Sequence, residues 1–156
     1  MGRNVFMGAA VSLVLFSTAW GRSVRVYIGA YTGGNAGKGI YRSSLDLQTG
    51  ELAAPVLAAQ VRDPSFIEIH PAGKFLYAVS EAGADGRVLA YAIDPNTGDL
   101  TLVNDAPTGG AGPCHVNVDR AGRHVLVANY NSGSASVLPI RPDGGLGEPS
   151  GFVQHE

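Results

Sequence analysis

Histidine, glutamate, tyrosine and asparagine recur in this sequence at the points where short apolar runs begin or end. His115 opens one such run, and Asn129 and Tyr130 close the run that follows it. Histidine can activate water near neutral pH because its ordinary pKa is about 6.5. An asparagine amide can donate a hydrogen bond to a carbonyl oxygen on which negative charge develops. Together, these residue types suit hydrolysis at a carbonyl carbon.

An internal repeat shows which elements must position these residues. Residues 64–79 align without a gap to residues 113–128, at an offset of 49 residues. The stretches "LDLQTGEL" (45–52) and "IDPNTGDL" (93–100) repeat at an offset of 48, with a degraded copy at 140–147. Each period holds alternating apolar runs separated by Gly, Pro, Asn and Asp, a pattern that predicts short antiparallel strands. Four strands in a repeat of this length are typical of a β-propeller blade.

The strand order within a blade predicts where the polar residues meet. The first two strands of a blade are antiparallel neighbours, so the start of one and the end of the other lie at the same rim. His155 and Glu156, which follow the last strand of the third blade, are expected at that rim as well. The predicted catalytic residues are His115 and His155, and the predicted substrate-binding residues are Tyr31, Glu81, Asn129, Tyr130 and Glu156. Two alternatives stay open, namely that His115 is a structural inner-strand residue and that Tyr130 packs between blades.

The strand count predicts an all-β, partial β-propeller. Three strands are expected in residues 24–61, a complete blade in residues 65–107 and a third blade from residue 114 onward. This amounts to about two and three-quarter blades, whereas propellers typically need about 4 to 8 blades to close. We therefore expect residues 22–156 to be the N-terminal part of a longer propeller domain.

The first 21 residues have the pattern of a secretory signal peptide. Arg3 precedes an apolar run from Val5 to Phe16, and small residues lead to a proposed cleavage site after Gly21. A membrane anchor is the alternative, but the apolar run is shorter than the roughly 20 residues needed to span a bilayer. The prediction is therefore an exported protein, periplasmic or secreted, without a membrane segment after cleavage.

Composition narrows the possible partners. The 11 basic and 13 acidic residues form no basic stripe, which argues against nucleic-acid binding but leaves small anionic ligands possible. The single cysteine, Cys114, excludes an internal disulfide framework. No metal ion and no cofactor are expected.

Several phrases, taken in order, resemble the lactonase family of seven-bladed propellers. They include "VYIGAYTGG", "DPSFIEIHPAGKFLYAVSE", "GPCHVNVDRAGRHVLVANYNSGSASVLPI" and the terminal "VQHE". The resemblance implies seven blades and metal-free hydrolysis of a small sugar lactone such as 6-phosphoglucono-δ-lactone, or the related lactone-forming cycloisomerisation. It also implies that a segment containing arginine and histidine after "QHE" supplies much of the site.

Export complicates the choice of substrate, because phosphorylated gluconolactone arises in the cytoplasm, where members of this family often work. The alternative function is a non-catalytic, exported propeller that binds a ligand or serves as a scaffold. The sequence leaves open the natural lactone, the direction of the reaction and the oligomeric state.

Overall fold

Three four-stranded antiparallel sheets make up the computed structural model, which describes residues 12–16, 22–33 and 37–155. In each sheet the strands lie side by side in chain order. Sheet 1 contains β1 (Ser12–Phe16), β2 (Ser23–Gly29), β3 (Gly39–Asp46) and β4 (Val56–Gln60). Sheet 2 contains β5 (Ile67–Ile69), β6 (Phe75–Ser80), β7 (Arg87–Ile93) and β8 (Leu100–Pro107). Sheet 3 contains β9 (Pro113–Val118), β10 (His124–Asn129), β11 (Ser134–Pro139) and β12 (Gly151–Gln154).

The predicted all-β architecture is confirmed. Sheets 2 and 3 correspond to the complete blade and to the third blade expected from the repeat. The described residues form no helix, and so none that is long and apolar enough to cross a membrane. The meander order follows from the connections within each sheet, which are four to eleven residues long. Parallel neighbours would need a crossover of about a dozen residues or more, so consecutive strands pair antiparallel.

Sheet 1 differs from the prediction, since it has a fourth strand. Strand β1 pairs antiparallel with β2, with Ser12 opposite Gly29 and Phe16 opposite Arg25. It takes the edge position that β5 and β9 take in the other two sheets. These five residues fall within the predicted signal peptide. The rest of that segment, residues 1–11 and 17–21 with the proposed cleavage site, lies outside the described residues, so the signal peptide stays a prediction.

The turns between the third and fourth strands of sheets 1 and 2 are closed by aspartates. Asp94 Oδ1 accepts hydrogen bonds from the backbone N–H groups of Asn96 and Thr97, both at 2.8 Å. These bonds lower the pKa of Asp94 below its usual value. The turn ends at Gly98, whose φ of +78° favours glycine. Asp46 repeats the arrangement in sheet 1, as expected for residues that recur in turns.

Apolar side chains fill both spaces between successive sheets. The layer between sheets 1 and 2 includes Tyr27, Ile40, Ile67 and Leu76, all fully buried. The layer between sheets 2 and 3 is larger and includes Tyr77, Val88, Val116, Val125 and Leu138. Alternation along each strand places these residues on facing sides, which is why the sequence shows a period of two.

In sheets 1 and 2 a buried tyrosine connects the sheet to a turn of the following sheet, a feature we call the tyrosine contact. Tyr27 Oη donates a hydrogen bond to the carbonyl oxygen of Gly98 at 2.7 Å, and Tyr77 Oη donates to that of Gly144 at 2.9 Å. Leu126 holds the equivalent position in sheet 3 and is 43% exposed. The face of sheet 3 that corresponds to the tyrosine-bearing faces is therefore uncovered in the described part of the chain.

Removal of one tyrosine hydroxyl tests this contact. We expect Tyr77→Phe to lower the free energy of unfolding by about 1 to 2 kcal/mol, because it leaves a buried carbonyl without its partner. Tyr130→Phe is the matched control, since Tyr130 is 80% exposed, and it should change stability by less than about 0.5 kcal/mol. Denaturant unfolding of both variants measures the difference, and equal effects would argue against the contact.

Candidate functional site

Tyr31, Ser65 and Glu81 form a hydrogen-bonded group at one end of the sheets, which we call the rim cluster. Tyr31 Oη donates to Glu81 Oε1 at 3.0 Å, and Ser65 Oγ donates to the same oxygen. Tyr31 follows β2 and Glu81 follows β6, so the group bridges sheets 1 and 2. The two predicted substrate-binding residues of these sheets are thus in direct contact.

The environment of the rim cluster keeps the hydroxyl of Tyr31 protonated. Burial raises the pKa of Tyr31 above its usual value, and the hydrogen bond and negative charge of Glu81 raise it further. Tyr31 therefore stays a hydrogen-bond donor at neutral pH. Glu81 Oε2 has no hydrogen-bond partner among the residues that the structure describes. This oxygen can accept a hydrogen bond from a water molecule or a ligand hydroxyl.

Asp63, which the sequence analysis missed, supports the rim cluster from the loop before Ser65. Its Oδ1 accepts hydrogen bonds from Thr32 N at 2.8 Å and Thr32 Oγ1 at 3.0 Å. Its carbonyl oxygen accepts from the backbone N–H groups of Ser65 at 2.9 Å and Glu81 at 3.3 Å. Asp63 has a φ of +47°, and among the described residues no other non-glycine residue has a positive φ. Aspartate and asparagine tolerate this conformation better than other side chains.

Substitution of Asp63 tests this support. Asp63→Ala should lower the free energy of unfolding by about 2 kcal/mol or more, because it removes the acceptor for Thr32 and places alanine in the left-handed region. Asp63→Asn keeps an acceptor oxygen and the tolerance for this conformation, so it should cost less than about 1 kcal/mol. Chemical denaturation compares the two variants. Equal losses would mean that Asp63 does not organise the loop as described.

A second group lies where the inner strands of sheets 2 and 3 meet. The rings of Phe66 and His115 are 4.2 Å apart between centroids and tilted by 43°. His115 is exposed, and it is close enough to Glu68 for its positive charge to act on that carboxyl group. Burial raises the pKa of Glu68 above 4.5, and the charge of His115 partly offsets the rise. An imidazole beside a carboxyl group can bind and release a proton.

Glu68 should make stability depend on pH in a defined direction. Its folded-state pKa is raised, so its ionised form disfavours folding, and this penalty appears as the pH rises through the folded-state pKa. Glu68→Gln should therefore raise the Tm at pH 7, and the gain should vanish as the pH falls below the usual value of 4.5. Glu148→Gln, at an exposed position, is the control. Thermal unfolding across this pH range would contradict the assignment if the gain were the same at every pH.

Asn129 and Tyr130, the two predicted substrate-binding residues of sheet 3, differ in their exposure to solvent. Asn129 is 2% exposed, because it shares a face of β10 with Val125 and Val127, which packs against sheet 2. Its Nδ2 donates to Ser134 Oγ at 3.2 Å and to Ser136 Oγ at 3.3 Å. Tyr130 is 80% exposed, and its hydroxyl has no hydrogen-bond partner within the described residues. The amide of Asn129 is therefore not presented at the rim surface, whereas Tyr130 is.

The two predicted catalytic histidines do not meet. His115 lies on β9 and His155 directly follows β12, at the opposite edge of sheet 3. Three strand spacings separate these edges, which is about 14 Å. The backbone N–H of His155 donates to the carbonyl of Gly133 at 2.9 Å, and its side chain is exposed. Glu156 lies outside the described residues.

Comparison with known proteins identifies the family of the chain. The sequence model of the family described as lactonase, 7-bladed beta-propeller, matches residues 25–156. The chain belongs to this lactonase family. The resemblance inferred from the ordered phrases is thereby confirmed, as is the propeller-type fold.

Similar lactonase-family proteins include two curated enzymes and a solved structure. The 6-phosphogluconolactonase of Bacillus subtilis is 40% identical over 129 residues, which cover 83% of this chain and 37% of that protein. The 6-phosphogluconolactonase of Formosa agariphila is 31% identical over 121 residues, which cover 76% of this chain and 34% of that protein. The structure of the periplasmic gluconolactonase of Pseudomonas aeruginosa matches with a TM-score of 0.79 and 30% identity, covering 85% of this chain and 39% of that one. The chain thus spans little more than a third of these relatives.

Proposed function

We propose that this chain is part of a lactone hydrolase that opens a sugar or organic-acid lactone. The observation that carries the proposal is the match of residues 25–156 to the lactonase family. The names of the curated relatives support the same reaction class, since the two described above are named 6-phosphogluconolactonase. A complete enzyme would use the three described sheets as part of a larger ring of blades.

The proposed chemistry is attack of water on the lactone carbonyl carbon. An imidazole nitrogen of His115 takes a proton from the water as its oxygen bonds to the carbon. The bond between the carbonyl carbon and the ring oxygen then breaks, and the proton passes from the imidazole to that oxygen, which leaves a carboxylic acid and a hydroxyl group. The acid then releases its proton to the solvent. Glu68 lies close enough to His115 for the charge of the imidazole to act on its carboxyl group.

The rim cluster gives a reason to prefer a substrate with hydroxyl groups near sheets 1 and 2. Its carboxylate, on Glu81, has one oxygen without a partner in the described part of the chain, and Asp63 adds a second negative charge nearby. Carboxylates accept hydrogen bonds from sugar hydroxyls but repel phosphate. We therefore propose that a phosphate group, if the substrate carries one, binds to other blades. Export fits an unphosphorylated lactone and is consistent with the periplasmic relative from Pseudomonas aeruginosa.

One observation favours the alternative of a non-catalytic binding propeller. His115 and His155 lie at opposite edges of sheet 3. His115 contacts Phe66, and the structure does not bring the second predicted catalytic histidine to this contact. A ligand-binding propeller needs the rim cluster but needs no base. Hydrolysis assays separate the two functions.

The experiment uses the complete reading frame that contains residues 25–156. Its product should hydrolyse glucono-1,5-lactone or the 6-phosphate of this lactone faster than buffer does. His115→Ala should lower kcat/KM more than tenfold, since general base catalysis typically contributes about 10²- to 10⁴-fold. Its Tm should be nearly unchanged because His115 is exposed. The control is His124→Ala, at the far end of β10.

Two outcomes would contradict the proposal. Hydrolysis no faster than buffer on either lactone would remove the enzymatic function and leave the binding propeller. A loss of activity that is accompanied by an equal loss of stability in His115→Ala would show a structural role for this histidine.

A further inference from the structure

We propose that a groove at the end of the sheets opposite the rim cluster binds a small oxyanion, a phosphate or a carboxylate group. The groove has a volume of about 360 Å³ and lies between sheet 1 and the turn that follows β7. Its polar lining includes Ser23, Arg25, Arg42, Ser44 and Thr97. We call it the arginine groove. This inference does not depend on the proposed lactone hydrolysis.

The strand register explains why these side chains share one face. Arg25 lies opposite Ser44, and Arg42 lies opposite Tyr27, on the face of sheet 1 that packs against sheet 2. Tyr31, of the rim cluster, is six residues beyond Arg25 along an extended chain, which corresponds to about 20 Å. The arginine groove and the rim cluster are therefore separate places on the protein.

Hydrogen-bond donors in the groove are left available. The two Nη atoms of Arg25 donate to the backbone carbonyls of Asp94, Pro95 and Asn96, at 3.3 to 3.4 Å, and to no carboxylate in the described part of the chain. Arg42 uses its Nε for Asp99 Oδ1 at 2.8 Å, and its Nη atoms have no partner among the residues that the structure describes. The hydroxyls of Ser23 and Ser44 likewise have none there. Several donors thus converge on one cavity.

Two acidic side chains lie beside these arginines, and neither fills the groove. Asp99 is 53% exposed, pairs with Arg42 at its Nε and does not line the groove. Asp94 turns its carboxylate toward the N–H groups of its own turn, at Asn96 and Thr97. Arg25 has no carboxylate partner within 4.0 Å in the described part of the chain, so its charge is not neutralised by a direct ion pair.

The next sheet provides an internal control for this interpretation. Phe75 is the equivalent of Arg25, and Ala90 is the equivalent of Arg42, because Tyr77 lies opposite Ala90 as Tyr27 lies opposite Arg42. Phe75 packs against Gly144 just as Arg25 packs against Gly98. Contact between sheets is thus built at sheets 2 and 3 without any guanidinium group at these positions. Packing alone does not account for two arginines and two serine hydroxyls in sheet 1.

Oxyanion binding does account for the two arginines and the two serine hydroxyls of sheet 1. Guanidinium groups donate paired hydrogen bonds to phosphate and carboxylate oxygens, and hydroxyl groups complete such sites. The cavity is within the range of about 300 to 1,000 Å³ of small-molecule sites. Because the groove is open and Asp99 competes for Arg42, we expect affinity in the millimolar range.

The test is titration of the purified protein with inorganic phosphate and, separately, with acetate, at constant ionic strength maintained with chloride. Amide resonances of Ser44, Thr97 and neighbouring residues should shift and saturate. A double variant, Arg25→Phe with Arg42→Ala, carries the residues that sheet 2 uses at these positions. It should fold and bind phosphate at least tenfold more weakly. Arg120→Ala is the control, because it removes one exposed positive charge elsewhere and should leave binding unchanged.

Each outcome decides the proposal. Saturation by phosphate alone supports a phosphate-bearing ligand, and saturation by both anions supports a general oxyanion site. Shifts that chloride reproduces, that never saturate, or that persist unchanged in the double variant would overturn it. If the double variant does not fold, the single variant Arg42→Gln replaces it, because glutamine is a similarly long side chain without the positive charge. This variant must weaken phosphate binding at least fivefold. An unchanged affinity would equally overturn the proposal.

Discussion

The tyrosine contact between successive sheets sets the spacing on which the rest of this structure depends. The hydroxyls of Tyr27 and Tyr77 each reach a glycine carbonyl in the turn of the following sheet. Both rings are fully buried, so each contact combines apolar burial with a hydrogen bond that cannot be exchanged for water. Gly98 and Gly144 lack a Cβ that would clash with the neighbouring sheet. Every other contact between sheets has to be compatible with this spacing.

This spacing has chemical consequences at both ends of the sheets. At one end, residues that follow the second strand of consecutive sheets come within hydrogen-bond distance, as Tyr31 and Glu81 do. At the other end, the same interface leaves a cavity lined by Arg25 and Arg42. A repeated scaffold thus holds the backbone constant while the side chains at equivalent positions vary, so that each interface can carry a different polar group.

The sequence predicted the scaffold better than the sites. Alternating apolar residues and turn residues fixed the strands, and the repeat fixed their grouping into sheets. The partners at an interface depend on side-chain direction across two sheets, which a linear pattern does not contain. Asn129, for instance, shares the buried face of its strand, and Asp63 acts through a left-handed backbone conformation. The pairing of β1 with β2 was missed because its residues also match a signal peptide.

The central claim is that consecutive sheets are held closely enough for their rim residues to interact. A double-mutant cycle of Tyr31→Phe and Glu81→Gln on the free energy of unfolding tests it most directly. We expect a coupling energy of about 0.5 to 1.5 kcal/mol, as for contacting residues in one hydrogen-bonded group. Effects that add to within about 0.3 kcal/mol would show that the two side chains do not interact, and would contradict the proposed relation between the spacing of the sheets and the rim cluster.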